Sequence, residues 1–166
     1  MRGMLPSLTV ALLLAAALPM AAQKKYTGPP VPKSDVPYLL HASNLIEVET
    51  ATAQESSHKD DQVFAISGAT SPTRTPVPEP IFIFKADRVN PDHIALYRME
   101  SKGGQRSVTI PSRPGGKRSE SSRPVFILVN ALDNHIFKIE VNEPLENGEY
   151  CLSPEGTNTS WCFTEF

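Results

Sequence analysis

The chain has 166 residues, with 16 lysines and arginines against 18 aspartates and glutamates, so its formal net charge is −2 at pH 7. This mild negative charge provides no general attraction to nucleic acid or to an anionic membrane, and we expect neither as an obligatory partner. Without a leader, the chain is about the length of one domain.

The N-terminus has the pattern of a secretory signal peptide. Arg2 precedes a run over residues 8–18 that is apolar except for Thr9, and small residues follow at Ala21 and Ala22. The run is shorter than the roughly 20 apolar residues that a membrane-spanning helix needs. We therefore expect residues 1–22 to be removed, although the large Met20 leaves the cleavage site open. The mature protein would then be secreted or periplasmic, with no stable membrane insertion.

Proline clusters mark the segments that are neither helix nor regular strand. Residues 27–37 and 71–80 are both rich in proline, which excludes helix and favours extended or turning backbone. We interpret residues 23–37 as a proline-rich N-terminal arm and residues 38–166 as a single domain. Within that domain, residues 71–80 are predicted to be a loop and residues 38–41 one helical turn.

Short runs rich in apolar, β-branched and aromatic residues are separated by turn signals from residue 45 onward. The runs are LIEVET, QVFAI, IFIFKA, IALYRME, SVTI, VFILV, HIFKIEV, GEYCL and SWCFTE. Residues 51–61, between the first two runs, are polar and are predicted to form a loop. The pattern predicts an all-β fold, an antiparallel β-sandwich of the Greek-key or immunoglobulin-like type. Residues 81–84 and 125–128, apolar throughout, are predicted to be buried on both faces.

Two segments of the chain resemble each other. One begins at Pro80 and the other at Pro124, and each continues as an apolar strand, an acidic turn, His-Ile and an alternating strand. Two matching hairpins could pack face to face as the two halves of the core. Chance similarity between hairpins explains the pattern equally well.

Cys151 and Cys162 are the only cysteines in the chain. In an exported protein such a pair normally forms a disulfide. If residues 150–152 and 161–163 are antiparallel strands, the two cysteines lie opposite each other, and alternation places both sulfurs on one face and the bulky apolar side chains on the other. We therefore predict a structural disulfide, with Trp161 in the core.

The segment LENGEY suits a tight turn that leads into a strand. The Tyr150 hydroxyl is expected to bond to backbone a few residues upstream, as in the tyrosine corner of Greek-key sandwiches. More widely, the leader, the proline-rich arm, PYLLHA at residues 37–42 and ENGEYCLSPEG at residues 146–156 resemble small secreted proteins of Gram-negative soil bacteria. The resemblance implies export; it brings no catalytic motif.

No common catalytic or metal-binding signature occurs in the sequence. The four histidines lack metal-ligand spacing to one another or to a cysteine, and the usual nucleophile and zinc-hydrolase motifs are missing. His93 and His135 each begin a strand after an acidic turn, near Asp92 and Asp133. These four residues are weak candidates for a catalytic cluster, with a structural capping role as the alternative. We predict no metal and no cofactor.

Residues 101–124 are the most basic part of the chain. Their cationic residues are Lys102, Arg106, Arg113, Lys117, Arg118 and Arg123. The segment contains no aromatic residue, so it lacks the stacking platform of single-strand nucleic-acid binders. It is either a solvated hairpin tip or a contact surface for an anionic glycan, a lipid headgroup or an acidic protein.

Three functional hypotheses follow. The leading one is an exported, non-enzymatic accessory or binding module that contacts an unknown protein or anionic glycan. The second is a small envelope hydrolase or metal-dependent enzyme, which requires His93 and His135 to converge with carboxylates in one cleft. The third is a small-ligand carrier, which requires an apolar pocket of several hundred Å³ between the sheets.

Overall fold

The computed structural model describes residues 25–58, 61–111 and 122–166. Within these ranges the chain forms thirteen β-strands and one 3-10 turn at Pro91–His93, and no helix is long and apolar enough to cross a membrane. The strands are β1 (Pro37–His41), β2 (Asn44–Glu47), β3 (Glu49–Thr52), β4 (Gln54–His58), β5 (Asp61–Ser67), β6 (Arg74–Thr75), β7 (Ile81–Lys85), β8 (Ile94–Lys102), β9 (Gln105–Pro111), β10 (Ile127–Asp133), β11 (Ile136–Val141), β12 (Gly148–Pro154) and β13 (Thr159–Glu165).

The strands form two sheets that pack together, which confirms the predicted antiparallel β-sandwich. The smaller sheet has the order β10-β11-β7-β1-β2; the larger has the order β3-β13-β12-β8-β9-β5-β4, with β6 beside β13. β7 pairs with β11 in one sheet, and β8 pairs with β12 in the other. The consecutive pairs β7–β8 and β11–β12 therefore both cross between the sheets, as in Greek-key, immunoglobulin-like sandwiches.

Large apolar side chains fill the space between the two sheets. The rings of Phe82 and Phe84 on β7 meet those of Phe163 and Trp161 on β13, with centroids 5.2 and 5.7 Å apart. Trp161 is 1% exposed, so its predicted place in the core is confirmed. Full burial of an apolar side chain of this kind stabilises the fold by roughly 1.5–3 kcal/mol.

The C-terminal hairpin has the predicted register. Cys151 lies opposite Cys162 and forms a disulfide with it, and Leu152 lies opposite Trp161. The Tyr150 hydroxyl donates a hydrogen bond to the carbonyl of Glu146 at 2.8 Å. The disulfide and the tyrosine corner are therefore both confirmed.

Two local predictions in the N-terminal half of the domain are wrong. Residues 38–41 belong to β1 and form no helical turn, because they pair with β2 and β7. The polar segment after Thr50 is strand rather than loop, because β3 pairs with β13 and β4 pairs with β5. Backbone pairing with neighbouring strands outweighs the low strand propensity of these polar residues.

The predicted similarity of two hairpins does not extend to the structure. β7 and β8 lie in different sheets, whereas β10 and β11 form a hairpin within one sheet. Residues 82–84 are almost fully buried, as predicted for this strand. The second apolar segment differs, since Phe126 is 52% and Leu128 40% exposed. Its strand β10 lies at the edge of a sheet, where one face meets solvent.

The larger sheet closes on itself. β3 and β4 lie at opposite ends of its hydrogen-bonded order, yet only Ala53 separates them in the chain. Every neighbouring pair along that order is antiparallel, so β3 and β4 run in the same direction. They are two halves of one continuous strand. The sheet must therefore curve until its first and last strands, β3 and β4, are joined end to end. We call this the curled sheet.

The curled sheet encloses a second interior, separate from the sandwich core. Ile66, Met99, Val108 and the Cys151–Cys162 disulfide form its apolar cluster. Both cysteines are at most 1% exposed. The face that carries the sulfurs is therefore a second core rather than a solvated surface.

Arg106 on β9 fills one end of this second interior. Its guanidinium donates to both carboxylate oxygens of Glu49, at 2.8 and 2.9 Å, and its Nη1 lies 3.7 Å from a Glu149 oxygen. The carbonyls of Ser67 and Gly68 accept further bonds from it. Burial alone would raise the pKa of the Glu49 carboxyl, but the Arg106 bonds and charge outweigh this effect and lower it. Arg106 is thus a buried counterion that holds β3, β9 and β12 together.

The proline-rich arm is fixed to the outer face of the smaller sheet. The Tyr26 N–H donates to a carboxylate oxygen of Asp133 at 3.0 Å, and Lys33 pairs with Glu47 at 2.8 Å. Tyr38 and Ile83 lie opposite each other in the sheet, alternate with residues of the sandwich core, and are only 2% exposed. Since no strand of the described residues covers this face, we infer that the arm does.

Asp35, at the end of the arm, organises the loop between β7 and β8. Its carboxylate accepts the backbone N–H groups of Asp87, Arg88 and Val89 at 2.9 to 3.1 Å, together with Arg88 Nε at 3.2 Å. Partial burial acts to raise the pKa of Asp35, but these bonds together lower it to about 2. The loop that they fix leads directly into the turn Pro91–His93.

Replacement of Arg106 tests its role as a buried counterion. We expect Arg106→Ala to lower the free energy of unfolding by about 3–5 kcal/mol, because it leaves buried carboxylates without a counter-charge. Arg123→Ala is the matched control. It removes an exposed pair with Glu143 and should cost less than about 1 kcal/mol. Urea denaturation measures both, and equally small losses would contradict a buried role for Arg106.

Asp35→Asn tests the carboxylate that holds the β7–β8 loop. Asparagine tolerates the left-handed backbone at this position, where φ is 57°, but carries no charge. Because the pKa of Asp35 is about 2, against 3.8 for an ordinary aspartate carboxyl, we expect the free energy of unfolding to fall by about 2 kcal/mol at pH 7. A carboxyl whose pKa is lower in the folded state stabilises the fold fully only above its unfolded-state pKa. The difference in free energy of unfolding between wild type and Asp35→Asn should therefore shrink below about pH 4 and nearly vanish at about pH 2. A difference that does not change with pH in urea denaturation would contradict this assignment.

Candidate ligand-binding cavity

The end of the curled sheet away from Arg106 contains a cavity of about 460 Å³. Most of its wall is apolar. The apolar lining residues are Ala53, Phe64, Ile66, Ile94, Ala95, Tyr97, Met99, Val108 and Ile110. The interior is therefore filled at one end by a buried ion pair and left hollow at the other.

The cavity exists because β8 and β9 diverge. The two strands pair at only three positions next to their shared turn. Farther along, β9 stays bonded to β5 while β8 stays bonded to β12. Leu96 of β8 forms a bridge with Val125 instead of with β9. Side chains of both diverging strands, Tyr97 and Met99 on one and Val108 and Ile110 on the other, line the space between them.

The turn between β12 and β13 forms a second wall of the cavity. Its lining residues are Ser153, Pro154, Glu155, Gly156, Thr157 and Ser160. The disulfide closes this hairpin just below the turn, since Cys151 lies two residues before Ser153 and Cys162 two residues after Ser160. The bridge therefore fixes the position of one cavity wall.

Apart from Asp92, His93 and Glu155, the polar side chains that line the cavity are neutral, namely those of Gln62, Tyr97, Ser153, Thr157 and Ser160. The hydroxyl oxygens of Ser153 and Ser160 lie 3.1 Å apart and bond to each other. Burial raises the pKa of the Tyr97 phenol, so its hydroxyl is neutral at physiological pH. Among the described residues, no lysine or arginine lines the cavity. The cavity is therefore suited to a mainly apolar molecule whose polar groups hydrogen-bond to these neutral side chains.

Three titratable side chains, Asp92, His93 and Glu155, also line the cavity. His93 Nδ1 lies 3.4 Å from a Glu155 carboxylate oxygen, and both side chains are mostly exposed. The Glu155 N–H donates to the His93 carbonyl at 2.9 Å, which joins the β7–β8 and β12–β13 turns. The Asn90 side chain accepts the backbone N–H of Asp92 at 3.1 Å. These three residues, which we call the rim, thus have a backbone frame held by hydrogen bonds.

Only half of the four weak catalytic candidates reach this cavity. Asp92 and His93 line it, whereas Asp133 and His135 do not. His135 lies in the β10–β11 turn of the smaller sheet, where its carbonyl accepts the Ala86 N–H at 2.8 Å. Among the described residues, no three His, Cys, Asp or Glu side chains are placed to hold a metal ion. The cleft with two histidines that the hydrolase hypothesis requires is not formed at this cavity.

Three members of the predicted basic contact surface, Lys102, Arg106 and Arg123, lie within the described residues. Arg106 is wrong as a member of it, because its side chain is buried against Glu49. Arg123 is 60% exposed and pairs with Glu143 at 3.0 Å, and Lys102 is exposed next to the β8–β9 turn. The remaining members, Arg113, Lys117 and Arg118, lie outside the described residues.

The small-ligand hypothesis expected an apolar pocket between the two sheets, whereas this cavity lies inside the curled sheet, and β8 carries a signal for it. Leu96 faces the sandwich core, whereas Ala95, Tyr97 and Met99 on the opposite face line the cavity; Ile94, at the start of the strand, belongs to both. A strand of an antiparallel sheet that is apolar on both faces packs against an apolar interior on each side. Comparisons of the chain with protein-family models, curated proteins and solved structures find no match. The case for a function therefore depends on the cavity.

The double variant Cys151→Ala/Cys162→Ala tests the coupling between the disulfide and the cavity wall. We expect the free energy of unfolding to fall by roughly 3 kcal/mol from the loss of the cross-link. We also expect amide hydrogen exchange in the β12–β13 turn to accelerate relative to the β10–β11 turn, which the bridge does not constrain. Unchanged exchange in the β12–β13 turn would show that the bridge does not fix the wall.

Proposed function

We propose that the protein is an exported, non-enzymatic binding protein that holds a small, largely apolar molecule in the cavity of the curled sheet. One observation carries this proposal, namely the cavity of about 460 Å³ with a mainly apolar wall. Its volume falls within the range of roughly 300–1,000 Å³ that is usual for small-molecule sites.

The size of the cavity sets the expected affinity. A ligand with a chain of about ten carbons would bury roughly 300 Å² of apolar surface, which at about 25 cal/mol per Å² contributes about 7 kcal/mol. That free energy corresponds to a dissociation constant on the order of 10 µM. The costs of fixing the ligand would weaken binding and good shape fit would strengthen it.

Two features support export. The N-terminal residues have the pattern of a signal peptide, and the Cys151–Cys162 disulfide is of the kind that persists in oxidising compartments. A binding protein in the periplasm or outside the cell would meet its ligand there in dilute aqueous solution. Under those conditions, burial in a preformed cavity favours capture of an apolar molecule.

The hypothesis of a contact module for a protein or anionic glycan has less support. It depends on a group of cationic side chains, and two of the three described members are already engaged within the protein. Arg106 is buried, and Arg123 pairs with Glu143. The described surface therefore favours the cavity over a basic contact patch as the functional site.

Titration with the neutral fluorescent probe N-phenyl-1-naphthylamine tests the proposed binding site. We expect saturable binding of one probe molecule, with a dissociation constant on the order of 10 µM. Ala95→Phe places a ring in the cavity and should weaken binding at least tenfold, and Ile110→Trp provides a second blocking variant. Ala131→Phe on the exposed edge strand β10 is the matched control and should bind as wild type.

Thermal unfolding must first show that each variant is folded. Absence of saturable binding to the wild-type protein would contradict the proposed function. Equal binding by the wild type and by both folded blocking variants would place the probe elsewhere and would also contradict it.

A further inference from the structure

We propose that the cavity selects amphipathic molecules with a cationic head group, such as an alkylammonium, over anionic ones such as fatty acids. This inference rests on the proposed binding function and deepens it by naming the class of ligand. It is carried by the charges around the cavity, which are distinct from the apolar wall that provides most of the affinity.

The charges that line the cavity are predominantly negative. Asp92 and Glu155 provide two carboxylates, and His93 is the only side chain among the described lining residues that can become cationic. A ligand carboxylate at this position would meet two like charges and no lysine or arginine among those residues. An ammonium group at the same position would meet two opposite charges.

The interior of the cavity does not favour either sign of charge. Apart from the rim, its polar side chains are neutral: the hydroxyls of Ser153 and Ser160, which bond to each other at 3.1 Å, the Thr157 hydroxyl, the Gln62 amide and the phenol of Tyr97. Charged groups would lose their hydration there without a counter-charge. A charged head group must therefore remain at the rim, where the carboxylates decide which sign is accepted.

The rim is also organised before a ligand arrives. The hydrogen bond between the Glu155 N–H and the His93 carbonyl holds the two turns together, and the Asn90 side chain caps the backbone at Asp92. Asp35 fixes the preceding loop through three backbone N–H groups. A fixed backbone reduces the conformational cost of holding the head group.

The rim carboxylates are accessible to solvent, so the expected selectivity is moderate. The Glu155 side chain is 77% exposed, and its contact with the His93 ring at 3.4 Å is equally open to water. For solvent-exposed charges, attraction or repulsion amounts to a factor of roughly 3 to 10 in affinity. This attraction should also weaken with added salt.

Displacement of N-phenyl-1-naphthylamine by three ligands of equal chain length tests the inference. The ligands are decylammonium, decanol and decanoate, compared at pH 8 and low ionic strength. We expect decylammonium to displace the probe at a concentration roughly 3- to 10-fold lower than decanol, and decanoate to require a concentration higher than decanol. Salt at about 0.5 M should reduce these differences.

Variants of the rim assign the selectivity to its two carboxylates. In Asp92→Asn/Glu155→Gln the three ligands should displace the probe at similar concentrations. Glu79→Gln/Glu146→Gln changes the net charge equally at exposed positions that do not line the cavity, so it should keep the wild-type order. If the double variant does not fold, the single variants Asp92→Asn and Glu155→Gln are measured in its place. Each should lose part of the wild-type selectivity between the three ligands.

The outcomes separate this inference from the proposed function. If the wild-type protein binds neither the probe nor any of the three ligands, the proposed function itself fails. If it binds all three equally, or binds decanoate most tightly, the cavity binds ligands but the inferred selectivity is wrong. If the expected order appears but persists unchanged in the rim variants, the rim carboxylates are not its source and the inference is overturned.

Discussion

The structure depends on one covalent constraint, the continuity of the chain through Ala53. β3 must pair with β13 and β4 must pair with β5, and a single residue joins the two strands. A sheet whose two edges are connected in this way can only close on itself. Closure removes the two edges that an open sheet of this size would expose, and it creates an enclosed space behind the sandwich core.

The two ends of that space have opposite chemistry, and this difference makes one end a site. At one end Arg106, Glu49 and Glu149 fill the interior with a satisfied ionic cluster. At the other end β8 and β9 diverge, and the apolar wall remains hollow. The disulfide lies between the two ends and also secures the β12–β13 turn. Stability and the shape of the cavity therefore depend on the same few contacts.

The sequence was sufficient for the parts of the fold that depend on local alternation. The register of the C-terminal hairpin, the disulfide and the tyrosine corner follow from residues within about 20 positions of one another. Closure of the larger sheet was not predictable, because β3 and β4 are short, polar and small, and only their distant partners make them strands. The burial of Arg106 could not be predicted from the sequence for the same reason, since its partner Glu49 lies 57 residues away.

The site was less predictable than the fold, because a cavity is a property of packing rather than of any motif. Its lining residues come from separate parts of the chain between Ala53 and Ser160 and include ordinary core residue types. The central claim, that this cavity is the binding site, is tested most directly by amide chemical shifts recorded by NMR during titration with decylammonium. The account predicts saturable shifts at Ala95, Ile110 and Gly156, with Ala131 and Leu128 unchanged. Shifts concentrated on β10, or no saturable shifts at all, would contradict it.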